Sequence, residues 1–93
     1  MPKLNPLLHQ ELRLSIISFL ANVESADFKK LLEVTEASKG NLSIQLSKLE
    51  QAGLLKINKS FKGKYPHTKC AITKEGRTVL KAYIRDLRMM LNI

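Results

Sequence analysis

Ninety-three residues provide material for one hydrophobic core, and a hydrophobic fraction of 44% is too high for a disordered chain, so we expect one domain over residues 1–93. No apolar run approaches the roughly 20 residues that cross a bilayer, and the amino terminus lacks a signal-peptide layout, so we expect a cytoplasmic protein without a membrane partner. The net charge of +8 attracts polyanions, above all nucleic acid, although a generic solubilising surface would carry the same charge.

The basic residues are concentrated in the second half of the chain. Between Lys56 and Arg88 there are ten Lys and Arg residues but only two acidic ones, Glu75 and Asp86. The single cysteine, Cys70, suits a reducing compartment, and its place in a predicted strand favours a small core residue over a redox sensor.

The first helix is predicted over residues 6–21, with Asn5 as its cap and Pro6 at its first position. Apolar residues occupy nearly all of its faces, which indicates a second contact with another helix or with a second subunit. One broad face carries Leu8, Leu12, Ile16, Phe19 and Leu20, and the other faces carry Leu7, Leu14 and Ile17.

The next two helices have the outline of a helix-turn-helix. Asp27 caps a brief helix ending near Val34, and a turn of about four residues follows. Ser38 then caps a third helix over residues 39–52, and Gly53 stands where the chain must take a left-handed conformation.

After Gly53 the apolar period changes from helical to alternating. Residues 54–73 are predicted to form a β-hairpin whose loop spans residues 61–67, and Thr73 caps a last helix over residues 74–91. The fold class is therefore mostly α with a small β-hairpin, in the order helix-helix-helix-strand-strand-helix of a winged helix-turn-helix.

The third helix carries the first set of candidate DNA contacts. Leu42, Leu46 and Leu49 form its buried stripe, and the opposite face offers amides, hydroxyls and lysines with almost no acid. Amides pair with base edges and short hydroxyls reach phosphates, although a merely solvated helix face would have the same pattern. The predicted contacts are Lys39, Asn41, Ser43, Ile44, Gln45 and Lys48.

The hairpin carries the second set. A basic hairpin beside a groove-reading helix can follow the DNA backbone or enter the minor groove, although lysines also protect strand edges from aggregation. The predicted contacts are Lys59, Lys62, Lys64, His67 and Lys69.

Two motifs in this order resemble winged-helix transcriptional regulators of the MarR and ArsR type: the run from Lys39 to Leu55, and Thr73-Lys-Glu-Gly-Arg77 after a basic hairpin. The resemblance implies a recognition helix over 41–48, a wing over 59–69, and a two-fold dimer built by the first and last helices. The chain lacks the extra helices of full-length MarR proteins and the paired cysteines of metal-sensing ArsR proteins. The predicted dimer residues are Leu7, Leu14, Ile17, Tyr83, Leu87, Met90 and Leu91.

These patterns predict a homodimeric regulator that binds double-stranded DNA. The alternative is a winged helix that binds another protein, and an RNA-binding wing is a weaker third hypothesis because few aromatic residues are available for stacking. No spacing of His, Cys or carboxylates indicates catalysis or a metal site, and no glycine-rich loop indicates a nucleotide cofactor. Nothing in the outer helices requires a small-molecule effector.

Overall fold

A computed structural model describes residues 3–93 of the chain, which form four helices and a three-stranded antiparallel sheet of order β1-β3-β2. The predicted order of elements is confirmed, with one short strand in addition. The elements are α1 (Glu11–Leu20), β1 (Ala26–Asp27), α2 (Phe28–Thr35), α3 (Lys39–Gln51), β2 (Leu55–Lys62), β3 (Tyr65–Ile72) and α4 (Lys74–Leu91).

Helix α1 begins five residues later than predicted. Asn5 does start a turn, since its side chain accepts a hydrogen bond from the backbone N–H of Leu7 at 2.9 Å and its carbonyl oxygen accepts from His9 at 2.9 Å. The chain then extends at Gln10, whose side-chain oxygen accepts from the backbone N–H of Arg13 at 2.7 Å and caps the helix. The prediction of one continuous helix from Pro6 was wrong because a second cap interrupts it.

The apolar faces of α1 are explained largely within this chain. The helix packs against α2, α3, β3 and α4, and Ile17 is completely buried among them. Tyr83 of α4 is also buried, and its hydroxyl is hydrogen-bonded to Nδ1 of His9 at 2.9 Å. The predicted dimer contacts of Ile17 and Tyr83 are therefore wrong, because both side chains are used in the core of the monomer.

The helix-turn-helix is confirmed together with its caps. The Asp27 carboxylate accepts from the backbone N–H of Lys30 at 2.7 Å, and the Ser38 hydroxyl accepts from that of Asn41 at 3.1 Å. Gly53 has a φ of 80°, the left-handed conformation expected after α3. Leu42, Leu46 and Leu49 are buried as predicted.

The hairpin is longer and its turn is tighter than predicted. Strands β2 and β3 remain paired up to Lys62 and Tyr65, so residues 61–67 are not a loop. Gly63 has a φ of 67° and Lys64 does not share it, which is the pattern of a two-residue type II′ turn. Strand β1, which was not predicted, pairs Ala26 with Cys70 on the other edge of β3.

Cys70 is buried in the core as predicted, and burial raises the pKa of its thiol to about 11. Within residues 3–93, no helix combines the length and the apolar character needed to cross a membrane.

Candidate nucleic-acid interface

The outward face of α3 is an exposed surface without acidic side chains. Its thirteen residues make a rod about 20 Å long, which fits a major groove roughly 12 Å wide. Ile44 is 55% exposed in the middle of this face, where an apolar side chain gains nothing from packing within the chain. The residues of the face, all exposed, are Gly40, Asn41, Ile44, Ser47, Lys48 and Gln51.

The first turn of α3 favours an anion. It contains no acidic residue and begins with the exposed Lys39, although the positive end of the helix dipole disfavours a lysine there. A phosphate near this turn would relieve that repulsion and accept from the free backbone N–H groups.

Gln45 does not lie on the exposed face, so the prediction that its amide reads bases was wrong. The side chain is 8% exposed, and its Oε1 accepts from Nη1 of Arg13 at 2.6 Å. Its Nε2 donates to Oδ1 of Asn41 at 3.0 Å. Position 45 falls toward the core because it shares a helical ridge with Leu42 and Leu49. The amide is therefore engaged inside the protein.

A groove separates α3 from the hairpin. Its walls are Ser43, Ser47 and the acidic Glu50 of the helix and Lys59 and Thr68 of the strands. A second hollow, which shares Phe28 and Thr68 with the first, is lined by Asp27, Lys39, Pro66 and His67 among others. Three predicted contacts, Lys39, Ser43 and Lys59, thus line these two adjacent hollows.

The remaining basic residues of the hairpin do not share that face. Because residues opposite each other in an antiparallel pair point to the same side, Lys62 and Lys69 lie on the face away from α3 together with Lys56. Lys64 lies in the turn itself. The hairpin therefore presents positive charge on both faces and at its tip.

None of these lysines is neutralised by an ion pair within residues 3–93, where the pairs found are Arg85 with Asp86 and His67 with Asp27. Residues 51–74 contain no acidic side chain at all. In the His67 pair, Nε2 lies 3.5 Å from an Asp27 carboxylate oxygen, so His67 is tied to the body of the protein. The Lys30 backbone hydrogen bond and, to a lesser degree, His67 lower the pKa of Asp27.

The sequence did not single out Arg13 and Phe61. Arg13 lies on α1, whose sequence pattern indicates a core helix, and its hydrogen bond to Gln45 is what connects it to the candidate DNA interface. Phe61 was assigned to a loop, but it lies in β2 near the hairpin tip, where it is 75% exposed and Tyr65 is 77% exposed. An aromatic residue next to Lys62 was the available signal for Phe61.

The last part of α4 carries a second exposed surface. Ile84 and Leu91 lie two turns apart on one side of the helix and are exposed, and Leu87 and Met90 are half-buried beside them. Leu7 and Leu14 are also half-buried. Among residues 3–93 no group of three or more His, Cys, Asp or Glu side chains could hold a metal ion.

Comparison with known proteins identifies this arrangement. A family model described as winged helix DNA-binding domain matches residues 12–91. The chain is 36% identical over 76 residues to an uncharacterised protein of Methanocaldococcus jannaschii. The aligned region covers 81% of this chain and 82% of that protein. The fold and the exposed helix beside the hairpin thus define a winged-helix DNA-binding protein. The chain belongs to the winged helix DNA-binding domain family, which confirms the resemblance drawn from its motifs.

Solved structures agree with this class. A transcriptional regulator homologue from Pyrococcus horikoshii OT3 is similar with a TM-score of 0.85 and 29% identity, over 92% of this chain and 85% of that one. The YusO protein from Bacillus subtilis has a TM-score of 0.73 and 17% identity, over 96% of this chain and 59% of that one, a likeness of fold alone.

Proposed function

We propose that this protein is a homodimeric transcriptional regulator that binds specific sites in double-stranded DNA. The observation that carries the proposal is the acid-free outward face of α3 beside a hairpin whose lysines form no ion pair with any residue from 3 to 93. Helix α3 enters the major groove, and the hairpin follows the adjacent backbone or minor groove.

The residues divide into two roles. Asn41, Ser43 and Ile44 lie on the part of α3 nearest its amino terminus, where an amide, a hydroxyl and an apolar side chain distinguish bases, Ile44 by contact with a thymine methyl group. Lysines supply the affinity that is independent of sequence, because each neutralised phosphate releases counterions. The phosphate contacts proposed are Lys39, Lys48, Lys59, Lys62, Lys64 and Lys69, with His67 beside them.

The second subunit would cover the exposed surface of α4. Leu87, Met90 and Leu91, with Leu7 and Leu14, remain as the proposed dimer contacts after Ile17 and Tyr83 are assigned to the core. A two-fold dimer places two copies of α3 on successive major grooves, which predicts half-sites about one helical turn apart.

The test is a selection of binding sites from random duplex DNA, followed by fluorescence anisotropy on the selected and on a scrambled duplex at several salt concentrations. Lys64→Ala should weaken binding to both duplexes alike and reduce the slope of log K against log salt by about one. Ile44→Ala should weaken binding to the selected duplex and leave the scrambled one nearly unchanged.

Lys81→Ala on α4 is the matched control, since it removes the same charge from an exposed residue outside the proposed DNA interface. Its salt slope should equal that of the wild type. If the wild type binds no duplex at low salt, the DNA-binding proposal fails, and the exposed α4 surface then favours a role in binding another protein.

A further inference from the structure

A chain of hydrogen bonds connects α1 to the exposed face of α3. Arg13 Nε donates to the carbonyl oxygen of Leu7 at 2.6 Å, and Arg13 Nη1 donates to Oε1 of Gln45 at 2.6 Å. Gln45 Nε2 donates to Oδ1 of Asn41 at 3.0 Å. The chain begins at a half-buried arginine, passes through a buried amide and ends at an exposed one.

The direction of every bond in this chain is imposed by Arg13. A guanidinium has donors and no acceptor, so the amide of Gln45 must turn its oxygen toward Arg13 and its nitrogen toward Asn41. That nitrogen is itself a donor, so Asn41 must turn its oxygen inward. Reversing the Asn41 amide would set two donors, Nδ2 and the Gln45 Nε2, against each other.

The outward end of Asn41 is therefore a donor. Its Nδ2 has no hydrogen-bond partner within the part of the chain that the structure describes, and the residue is exposed in the first turn of α3. A donor in the major groove is satisfied by guanine, by adenine at N7, or by thymine at O4. Cytosine presents only its N4 amino group there, which is also a donor.

We propose that Arg13 and Gln45 are positioning residues that set the polarity of Asn41, so that the base facing Asn41 on its strand is selected against cytosine. This inference rests on the proposed function, because it assigns the specificity of the same helix. It gives the buried amide of Gln45 a role, because that amide passes the orientation set by Arg13 to the surface.

Gln45→Glu tests the polarity, because it keeps the shape of the side chain and replaces its donor by an acceptor. The carboxylate still accepts from Arg13, but it now accepts from Nδ2 of Asn41 as well, so Asn41 turns its oxygen outward. Wild type should disfavour cytosine at one position of the selected site by about 5- to 10-fold, the effect of one hydrogen bond. In Gln45→Glu that preference should reverse, in favour of a base with an amino group.

Gln51→Glu is the matched control. It makes the same chemical change on the exposed face of α3, where Gln51 Nε2 donates only to Ser47 Oγ at 3.3 Å. It should lower the affinity for all duplexes through its negative charge and leave the base preference at the Asn41 position unchanged. Comparing preference ratios, rather than affinities, removes the effect of charge that both variants share.

Gln45→Met provides a second variant that stays neutral and fills the buried space. Without the hydrogen bond from Gln45, Asn41 can turn either way, so discrimination against cytosine should fall toward onefold while binding to scrambled duplex is retained.

NMR without DNA provides an independent measurement. The side-chain N–H signals of Gln45 should exchange slowly with solvent in the wild type and rapidly in Arg13→Lys.

Identical base profiles for the wild type, Gln45→Glu and Gln45→Met would overturn the inference while leaving DNA binding intact. Absence of binding by the wild type would instead overturn the proposed function. Circular dichroism at the assay temperature establishes that each variant is folded before its profile is compared.

Discussion

Gly76 is the position where one added methyl group has the most predictable effect on stability. It lies in the first turn of α4 and is buried against the start of β2. A Cβ at this position would overlap the backbone carbonyl oxygen of Leu54 and would lie 2.8 Å from Cγ1 of Ile72, a distance shorter than real Cβ contacts. The Leu54 oxygen cannot easily move away, because it accepts from the backbone N–H of Thr73 at 3.0 Å.

Two opposing effects decide the outcome of Gly76→Ala. Alanine favours a helix over glycine by up to about 1 kcal/mol. Overpacking against fixed backbone costs about 1–3 kcal/mol, and displacing Leu54 weakens a hydrogen bond of roughly 1 kcal/mol. The losses exceed the gain, so we expect a lower free energy of unfolding by about 1–3 kcal/mol and a fall in Tm of roughly 5–20 °C.

Gly40→Ala is the matched control, because a Cβ there meets nothing within 4 Å. Only the higher helix propensity of alanine remains, so the free energy of unfolding of this variant should rise by about 0.5–1 kcal/mol. Both variants are compared with the wild type by urea and thermal unfolding at one protein concentration, which removes any contribution of association. A Tm for Gly76→Ala equal to or above that of the wild type would refute the reasoning.

Three further predictions concern a helix cap, the buried thiol and the proposed dimer. Asp27→Ala should cost about 1 kcal/mol at neutral pH in urea unfolding; because the pKa of Asp27 is lowered from 3.8, the difference from the wild type should shrink as the pH falls through that lowered pKa, and a constant difference would contradict this. Burial raises the pKa of Cys70 from 9.0 to about 11. The neutral thiol therefore contributes fully to the free energy of unfolding below pH 9.0, and this contribution is lost as the pH rises toward 11. In urea unfolding, Cys70→Ala should lack this part of the alkaline decline in stability. If the proposed dimer forms, Leu91→Asp should convert it to a monomer in light scattering at micromolar concentration, and a monomeric wild type would remove the two-fold model of DNA binding.

Local signals predicted most of the fold because they act within a few residues. Asp27, Ser38 and Thr73 each cap a helix through a backbone N–H three residues later, which is a contact that needs no tertiary structure. The stripe of Leu42, Leu46 and Leu49 likewise follows from the helical period alone. The same signals failed at the first helix, where Asn5 and Gln10 compete as caps and only Gln10 begins α1.

The candidate interface was predicted in its elements and only partly in its residues. A polar residue on the flank of a helix can face solvent or a neighbouring element, and periodicity does not distinguish the two. Gln45 lies on the flank of the buried leucine stripe, and its amide is satisfied there by Arg13, thirty-two residues earlier in the chain. Ile17 and Tyr83 were assigned to a second subunit for the related reason that an apolar face does not name its partner.

The sequence by itself determined the class of this protein: the helix caps, the apolar periods, the glycine after α3 and the lysines of the hairpin are all local properties of the chain. Tertiary structure decided which side chains remain available to a partner. It turned Gln45 from a surface amide into a link between Arg13 and Asn41, and it divided the hairpin lysines between two faces through the register of β2 and β3. The physical reason is that availability depends on what packs against a residue, and those contacts join residues distant in the chain.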